Sequence, residues 1–253
     1  MLYICVPAYD EAPTVGLLLW RIRKVFEEYP RDYEIVVVDD GSTDATREIL
    51  AGYAEVLPLT VVAQSERKGY GAALDTLART VSARTRYPRR DAMIVLQADF
   101  TDQPEHLPEL IKRFEGGADI VVAEQKTAPA DAPTAVRRLR RVAPWLLRPF
   151  VSVEGVADPL GTFRLYRISV LRDAIKAAGD AALVTTNGWS ANVEMLLKTA
   201  RHARRVEAVA LPGRYGLRPR ESRVRAWADA VDLYRFGWAA RALRTPVEHT
   251  APT

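Results

Sequence analysis

Apolar runs that stop at acidic or polar turns set the pattern of the first 125 residues. Residues 2–6 form one such run, followed by Pro7-Ala8-Tyr9-Asp10-Glu11 and a helical pattern carrying Val15, Leu18, Leu19, Ile22 and Phe26. Residues 33–39 form a second, closed by Asp39-Asp40-Gly41-Ser42-Thr43-Asp44 and a helix over 45–53. Strands at 59–63, 93–99 and 119–123 continue the alternation, with a helix after the Gly69–Gly71 turn and another from Pro104 to Phe114. Short uninterrupted apolar strands are buried on both faces, and a strand that hands over to a helix is half of a βαβ unit. A series of such units predicts an α/β fold: a mostly parallel, Rossmann-like sheet with helices on both faces, binding ligands outside the carboxyl ends of its strands.

The texture changes after residue 123. Residues 127–134 read as a Pro/Ala-rich loop. Residues 136–142 have apolar side chains at 136, 139 and 142, with Arg137, Arg138, Arg140 and Arg141 around them, a pattern that is ordinarily a solvated helix face. A strand at 162–166, helices at 168–178 and 188–202, and a strand at 206–209 follow. A last helix over 226–243 places Trp227, Val231, Tyr234, Trp238 and Arg241 along one side, which reads as core or an oligomer contact ahead of a membrane anchor. The expected organisation is one domain over 1–225, in halves 1–125 and 126–225, then an amphipathic helix and tail over 226–253.

The net charge of +4 hides an asymmetry. Residues 1–130 carry 15 Lys+Arg against 21 Asp+Glu, a net −6, whereas residues 131–225 carry 18 against 8, a net +10. Arg outnumbers Lys thirty to six, so part of the excess is residue usage. A basic half is the footprint of an anionic partner, and nucleic acid is set aside because no aromatics are interleaved for base stacking. The single Cys5 lies inside the first apolar run and reads as a buried thiol. No apolar run approaches the ~20 residues of a membrane span and no signal-type leader is seen, so the expected location is the cytoplasm, with peripheral contact at the inner face of the membrane. Walker-type loops, paired Cys/His sets and a Gly-X-Ser-X-Gly elbow are absent.

The stretch Val95-Leu96-Gln97-Ala98-Asp99-Phe100-Thr101-Asp102-Gln103-Pro104 delivers a carboxylate cluster to the end of an inner strand. Asp99 there fits a hard divalent cation, since Mg²⁺ takes one or two carboxylates and completes its shell with phosphate oxygens. The same residues fit a strand-to-helix turn in which Asp and Thr cap the helix. Both readings stand on this stretch alone.

Four motifs then occur in order: Val6-Pro7-Ala8-Tyr9-Asp10-Glu11, Val38-Asp39-Asp40-Gly41-Ser42, Lys68-Gly69-Tyr70-Gly71-Ala72-Ala73 and Ala98-Asp99. Together they resemble glycosyltransferase family 2, of the nucleotide-diphospho-sugar transferase (GT-A) fold. Asp158-Pro159-Leu160-Gly161-Thr162-Phe163-Arg164-Leu165-Tyr166-Arg167, Val193-Glu194-Met195-Leu196-Leu197 and Arg218-Pro219-Arg220-Glu221-Ser222-Arg223 are similar to its dolichol-phosphate mannosyltransferase branch, the polyprenyl-phosphate sugar synthases. The resemblance covers residues 1–240. It implies that Pro7, Tyr9, Glu11, Val38, Asp40, Gln97 and Ala98 line the base and ribose pocket. Asp99, with Thr101, would hold Mg²⁺ or Mn²⁺. Arg218 and Arg223 would belong to a loop closing over the donor diphosphate, acting with Asp99 on the charge of the leaving nucleotide.

The sequence departs from the family pattern in having Gln97 where an acid is usual, Thr101 where Gln is common, and Gln125-Lys126 where an Arg is expected. The closing loop is also one residue short. Gln97 can still bond a ribose hydroxyl, but it removes one negative charge from the cation site.

A hydroxyl acceptor needs a general base, which many relatives supply from the second residue of a Glu-Asp pair; the match here is Glu194-Met195. A phosphomonoester, with a second pKa of ~6, is already ionised at pH 7. The resemblance and the basic half together imply an inverting transfer from a GDP- or UDP-sugar to a polyprenyl phosphate, whose phosphate is contacted from among Arg137, Arg138, Arg140, Arg141 and Arg164. A membrane surface or membrane partner and a second copy of the chain are further candidate partners. Two alternatives stay open: a soluble family 2 enzyme using a small-molecule hydroxyl with Asp158 or Glu194 as base, and a catalytically degenerate nucleotide-sugar-binding protein, which Gln97 and Gln125 favour.

Overall fold

A computed structural model of the chain describes residues 1–125, 132–147, 149–213 and 225–241. Its inner strands are the apolar runs: β1 (Leu2–Ala8), β2 (Tyr33–Asp39) and β4 (Ala92–Val95). With β3 (Leu59–Ala63), β5 (Ile120–Glu124), β6 (Arg164–Arg167) and β7 (Val206–Ala210) they form one seven-stranded sheet in the order β3-β2-β1-β4-β6-β5-β7. Pairing is parallel except at β6, which runs antiparallel to both β4 and β5.

Alternation along the strands feeds two cores. Ile4, Val6, Ile35, Val37 and Ile94 face the apolar sides of α1 (Ala12–Glu28) and α4 (Leu107–Glu115). Tyr3, Cys5, Val36, Val38, Met93 and Val95 face α3 (Tyr70–Arg84), α6 (Ile168–Ala178) and α7 (Gly188–Ala200). The smaller α2 (Thr46–Ala54) buries Leu50 beside α1. Each fully buried Leu or Ile contributes about 1.5–3 kcal/mol, so helices cover both faces because both faces of the strands are apolar.

Three details differ from the sequence reading. β4 ends at Val95, and the chain turns irregular before Asp99 because Asp102 takes the Gln97 N–H at 3.1 Å and Phe100 adopts φ +63°. Pro104 opens a short 3-10 turn, and α4 starts only at Leu107. The aromatic stripe of α8 (Ala226–Ala240) is not core: Trp227 is 83% and Trp238 57% exposed. α8 instead buries Leu233, Phe236, Gly237 and Ala240 against Leu139, Ala143 and Leu147 of α5 (Thr134–Leu147). No helix among the described residues is long and apolar enough to cross a membrane.

Candidate functional site

The acidic turns that end β1 and β2 lace neighbouring loops together. Asp40, 4% exposed, accepts the backbone N–H groups of Lys68 and Gly69 at 2.7 and 2.9 Å, fixing the entry to α3. Asp39 accepts the Ser42 N–H and the Arg47 Nε–H, both at 2.9 Å, and Asp10 accepts the Thr43 N–H at 2.8 Å. Gly41 has φ +71°, and a Cβ there would lie 2.6 Å from the Glu66 carbonyl carbon, so the second acidic turn requires glycine. Asp10 at φ +50° and Phe100 at +63° are non-glycine residues in the left-handed region, one after β1 and one after β4, and such strain is concentrated where a structure holds a functional geometry.

A cavity of about 600 Å³ opens at this edge of the sheet. Gln97 and Thr101 line it from beyond β4, Arg67, Lys68 and Tyr70 from the start of α3, Asn187, Ser190 and Asn192 from the start of α7, and Arg140 from α5. Asp229 and Asp232 of α8 complete the wall. The Tyr70 hydroxyl donates to Asn192 Oδ1 at 2.8 Å, and burial pushes that phenol far above its ordinary value.

Of the residues expected in the site, Gln97, Thr101 and Arg140 reach this cavity. Tyr9 stands behind its wall, with the Arg67 guanidinium 4.1 Å from its ring centre, as does Asp40 behind Lys68 and Gly69. Pro7 lies on β1, half-buried, and Glu11 is buried with its carboxylate accepting the Thr14 hydroxyl at 3.1 Å. Ala98 is 3% exposed and Asp99 1%, with Asp99 Oδ1 accepting the Thr101 N–H at 3.0 Å. Arg218 and Arg223, like Lys126, lie outside the described residues.

Three expectations need correction. Val38 has no exposed surface and packs in the core under α3, so its side chain does not line a pocket. Arg137, Arg138 and Arg141 are solvent-exposed on α5 and do not line the cavity; only Arg140 does. Arg164 is 1% exposed, outside the cavity lining, and donates from both terminal nitrogens to the carbonyls of Asn192 and Pro159, so it ties α7 to the chain before β6; its buried Nε has no partner among the described residues. The surrounding motif is structural as well: a Cβ on Gly161 would sit 2.5 Å from the Ala123 carbonyl oxygen, and the Thr162 hydroxyl donates to Asp102 at 2.8 Å.

The two carboxylates considered as bases are both engaged. Glu194 accepts the N–H and hydroxyl groups of Thr185 and Thr186 at 2.8–2.9 Å and pairs with Lys198 at 2.7 Å. Burial would push its carboxyl up, but Lys198 and the threonine donors outweigh burial and hold it below its ordinary 4.5. Asp158 pairs with Arg140 at 2.8 Å and accepts the Leu160 N–H at 3.0 Å.

The sequence places Asp102 in the carboxylate cluster but assigns it no role of its own. Burial pushes it up to about 6, against the lowering pull of Thr162, the Gln97 N–H and two arginines, and it joins the end of β4 to the approach to β6.

No group of three His, Cys, Asp or Glu side chains among the described residues is arranged to hold a metal ion. A hard cation of the Mg²⁺ type needs less than that from the protein. Thr101 lines the cavity with a buried Oγ1 that has no hydrogen-bond partner among the described residues, and the Asp99 carboxylate beside it is 1% exposed and outside the cavity lining; the two are donor types such an ion takes, without being arranged as a site.

The family model described as Glycosyl transferase family 2 matches residues 3–174. Bactoprenol glucosyl transferase of Shigella phage SfX is 30% identical over 172 residues, 67% of this chain and 53% of that protein. SfII prophage-derived bactoprenol glucosyl transferase of Shigella flexneri is likewise 30% identical, over 67% and 52%. The chain thus spans about half the length of the curated relatives it matches. Among solved structures, glucosyl-3-phosphoglycerate synthase from Mycobacterium tuberculosis in complex with Mn²⁺, uridine diphosphate and glucosyl-3-phosphoglycerate aligns with a TM-score of 0.69 at 18% identity, over 97% of this chain and 81% of that one. S. aureus TarS 1-349 in complex with UDP-GlcNAc gives 0.64 at 18%, over 98% and 68%. At that identity the likeness establishes the GT-A fold.

Proposed function

This chain belongs to glycosyltransferase family 2, and we propose that it moves a sugar, with inversion, from a nucleotide-diphospho-sugar to a polyprenyl phosphate. The observation that carries the reading lies at Glu194-Met195: the second position, where a hydroxyl-using relative offers a base, holds the buried Met195, and the Glu194 carboxylate beside it is saturated. An acceptor that arrives already ionised removes the need for that base. A phosphate oxygen attacks the anomeric carbon, the bond from that carbon to the donor diphosphate breaks, and the nucleoside diphosphate leaves with the electron pair.

The donor's base and ribose would lie along Tyr9, Glu11 and Asp40, with Gln97 bonding a ribose hydroxyl. Asp99 and Thr101 would hold Mg²⁺ or Mn²⁺, which supplies charge to the leaving diphosphate when bound. Arg218 and Arg223 would add to that charge from the closing loop. The relatives named glucosyl transferases, and the neighbours bound to UDP or UDP-GlcNAc, make UDP-glucose the first donor to test, ahead of a GDP-mannose type. The tryptophans exposed on α5 and α8, Trp145 at 86% among them, favour peripheral contact with a membrane surface, since indole rings settle at bilayer interfaces.

The test is to incubate the purified protein with UDP-glucose, Mn²⁺ and a short prenyl phosphate and to identify products by mass. The glucosylated prenyl phosphate should form and should be lost with EDTA. Tight UDP binding without product on any acceptor would favour the degenerate binder. A hydroxyl acceptor keeps one observation on its side, the carboxylates of Asp229 and Asp232 in the cavity wall, and a product on a prenyl alcohol would select it.

A further inference from the structure

Two helices begin at the cavity. α3 and α7, 15 and 13 residues long, both start in its lining, and in neither does the residue before the helix cap it with its own side chain. Asn187, the residue before α7, instead gives its Oδ1 to the Gly71 N–H of α3 at 2.9 Å. A Cβ at Gly71 would lie 1.8 Å from the Thr186 carbonyl oxygen, so only glycine lets the two starts come this close. Both starts present the positive end of a helix dipole, and at α7 no side chain among the described residues caps the first N–H groups.

The polar atoms beside the start of α7 point to a ligand. Ser190, in its first turn, is 3% exposed, and its Oγ has no hydrogen-bond partner among the described residues. Arg140 Nε is likewise buried and unpartnered, although the same guanidinium pairs with Asp158 and lies 5.4 Å from the Trp189 ring centre at α7's start. A buried hydroxyl or guanidinium nitrogen without a partner is costly, and an anion placed between them would relieve both. The carboxylates in the wall come from α8, where Asp229 accepts the Arg225 N–H at 2.9 Å; α7's start contributes none.

We propose that the start of α7, with Ser190 Oγ and Arg140, is the subsite for the phosphomonoester group of the acceptor. This rests on the glycosyl-transfer reading above and gives its acceptor a place. It also replaces the exposed arginines of α5 with one partly buried arginine, a hydroxyl and a helix terminus as the recognition elements.

Calorimetry with citronellyl phosphate, citronellol and inorganic phosphate tests it, on the wild-type chain and on Ser190→Ala and Ser190→Asp, with melting temperature and UDP affinity as controls. The wild type should bind citronellyl phosphate and not citronellol. Ser190→Ala should weaken that binding about tenfold, the ~1.4 kcal/mol of a hydrogen bond to a charged group. Ser190→Asp should weaken it about 100-fold, and UDP affinity should change less than twofold in both. Inorganic phosphate with the same dependence on Ser190 would support the subsite and assign its recognition to the phosphate group alone. Folded variants that bind citronellyl phosphate as the wild type does, or that lose phosphate and alcohol equally, would overturn it. A wild type that transfers glucose to citronellyl phosphate while Ser190→Asp keeps its KM would sink the subsite and leave the transfer reading standing. Ser190-dependent phosphate binding without turnover would do the reverse.

Discussion

The two halves of the cavity edge spend their hydrogen bonds differently. On the side of β1 and β2, Asp10, Asp39 and Asp40 give their carboxylates to backbone N–H groups and an arginine, so that the loops are set before any ligand arrives. On the side of α5 and α7, Ser190 Oγ and Arg140 Nε are buried without partners among the described residues, with Thr101 Oγ1 at the boundary between the two. Prepaid carboxylates make a rigid floor, and unspent donors mark where an anion would be held. The charge follows the same division, −6 over residues 1–130 and +10 over 131–225.

The contrast breaks most severely at the seam between the halves. Gly71→Val should cost at least about 3 kcal/mol, because the Thr186 backbone occupies the space a side chain needs, and denaturant unfolding would measure it. A Gly71→Val chain as stable as the wild type would mean the halves are not locked there. Next comes Asp99→Asn, expected to lower turnover about 100-fold or more and to abolish its response to Mn²⁺ with little change in melting temperature. Unaltered cation dependence would remove Asp99 from the metal role.

A smaller effect sharpens the account of Glu194. Its folded carboxyl is held below the ordinary value, so its contribution to stability is present above pH 4.5 and lost as pH falls through the lowered value. Glu194→Gln should therefore cost about 1–3 kcal/mol at pH 7, and the gap to wild type should narrow as pH falls below 4.5. A gap that widens in acid would contradict the clamp on Thr185 and Thr186. Smallest in stability is Trp145→Ser with Trp238→Ser, expected within about 0.5 kcal/mol because both rings are exposed. Sedimentation with anionic vesicles should nevertheless fall. Unchanged vesicle binding would argue against membrane contact at α5 and α8.

What was legible in the sequence follows from range. Strand runs and acidic turns are local signals, and residues 2–6, 33–39 and 59–63, read as strands from their apolar runs, lie in β1, β2 and β3. Arg140 was indistinguishable in kind from its arginine neighbours, although it lies four residues after Val136, which also lines the cavity, and helical spacing puts the two on one face. The role of Glu194 was hidden because its partners lie in the preceding loop, which only the tertiary fold brings back over α7. The core reading of the α8 stripe fails because aromatic residues resemble core whether or not they are buried. A Cβ at Gly237 would come 2.8 Å from Phe150, so the close packing selects small residues and leaves Trp227 and Trp238 outside.

The most direct measurement is the ratio of kcat/KM for a prenyl phosphate over the matching prenyl alcohol, with one nucleotide-sugar donor and Mn²⁺. An acceptor site without a free base predicts a ratio of about 100 or more, in the range that a positioned base contributes. A ratio near one, or a preference for the alcohol, would contradict the account.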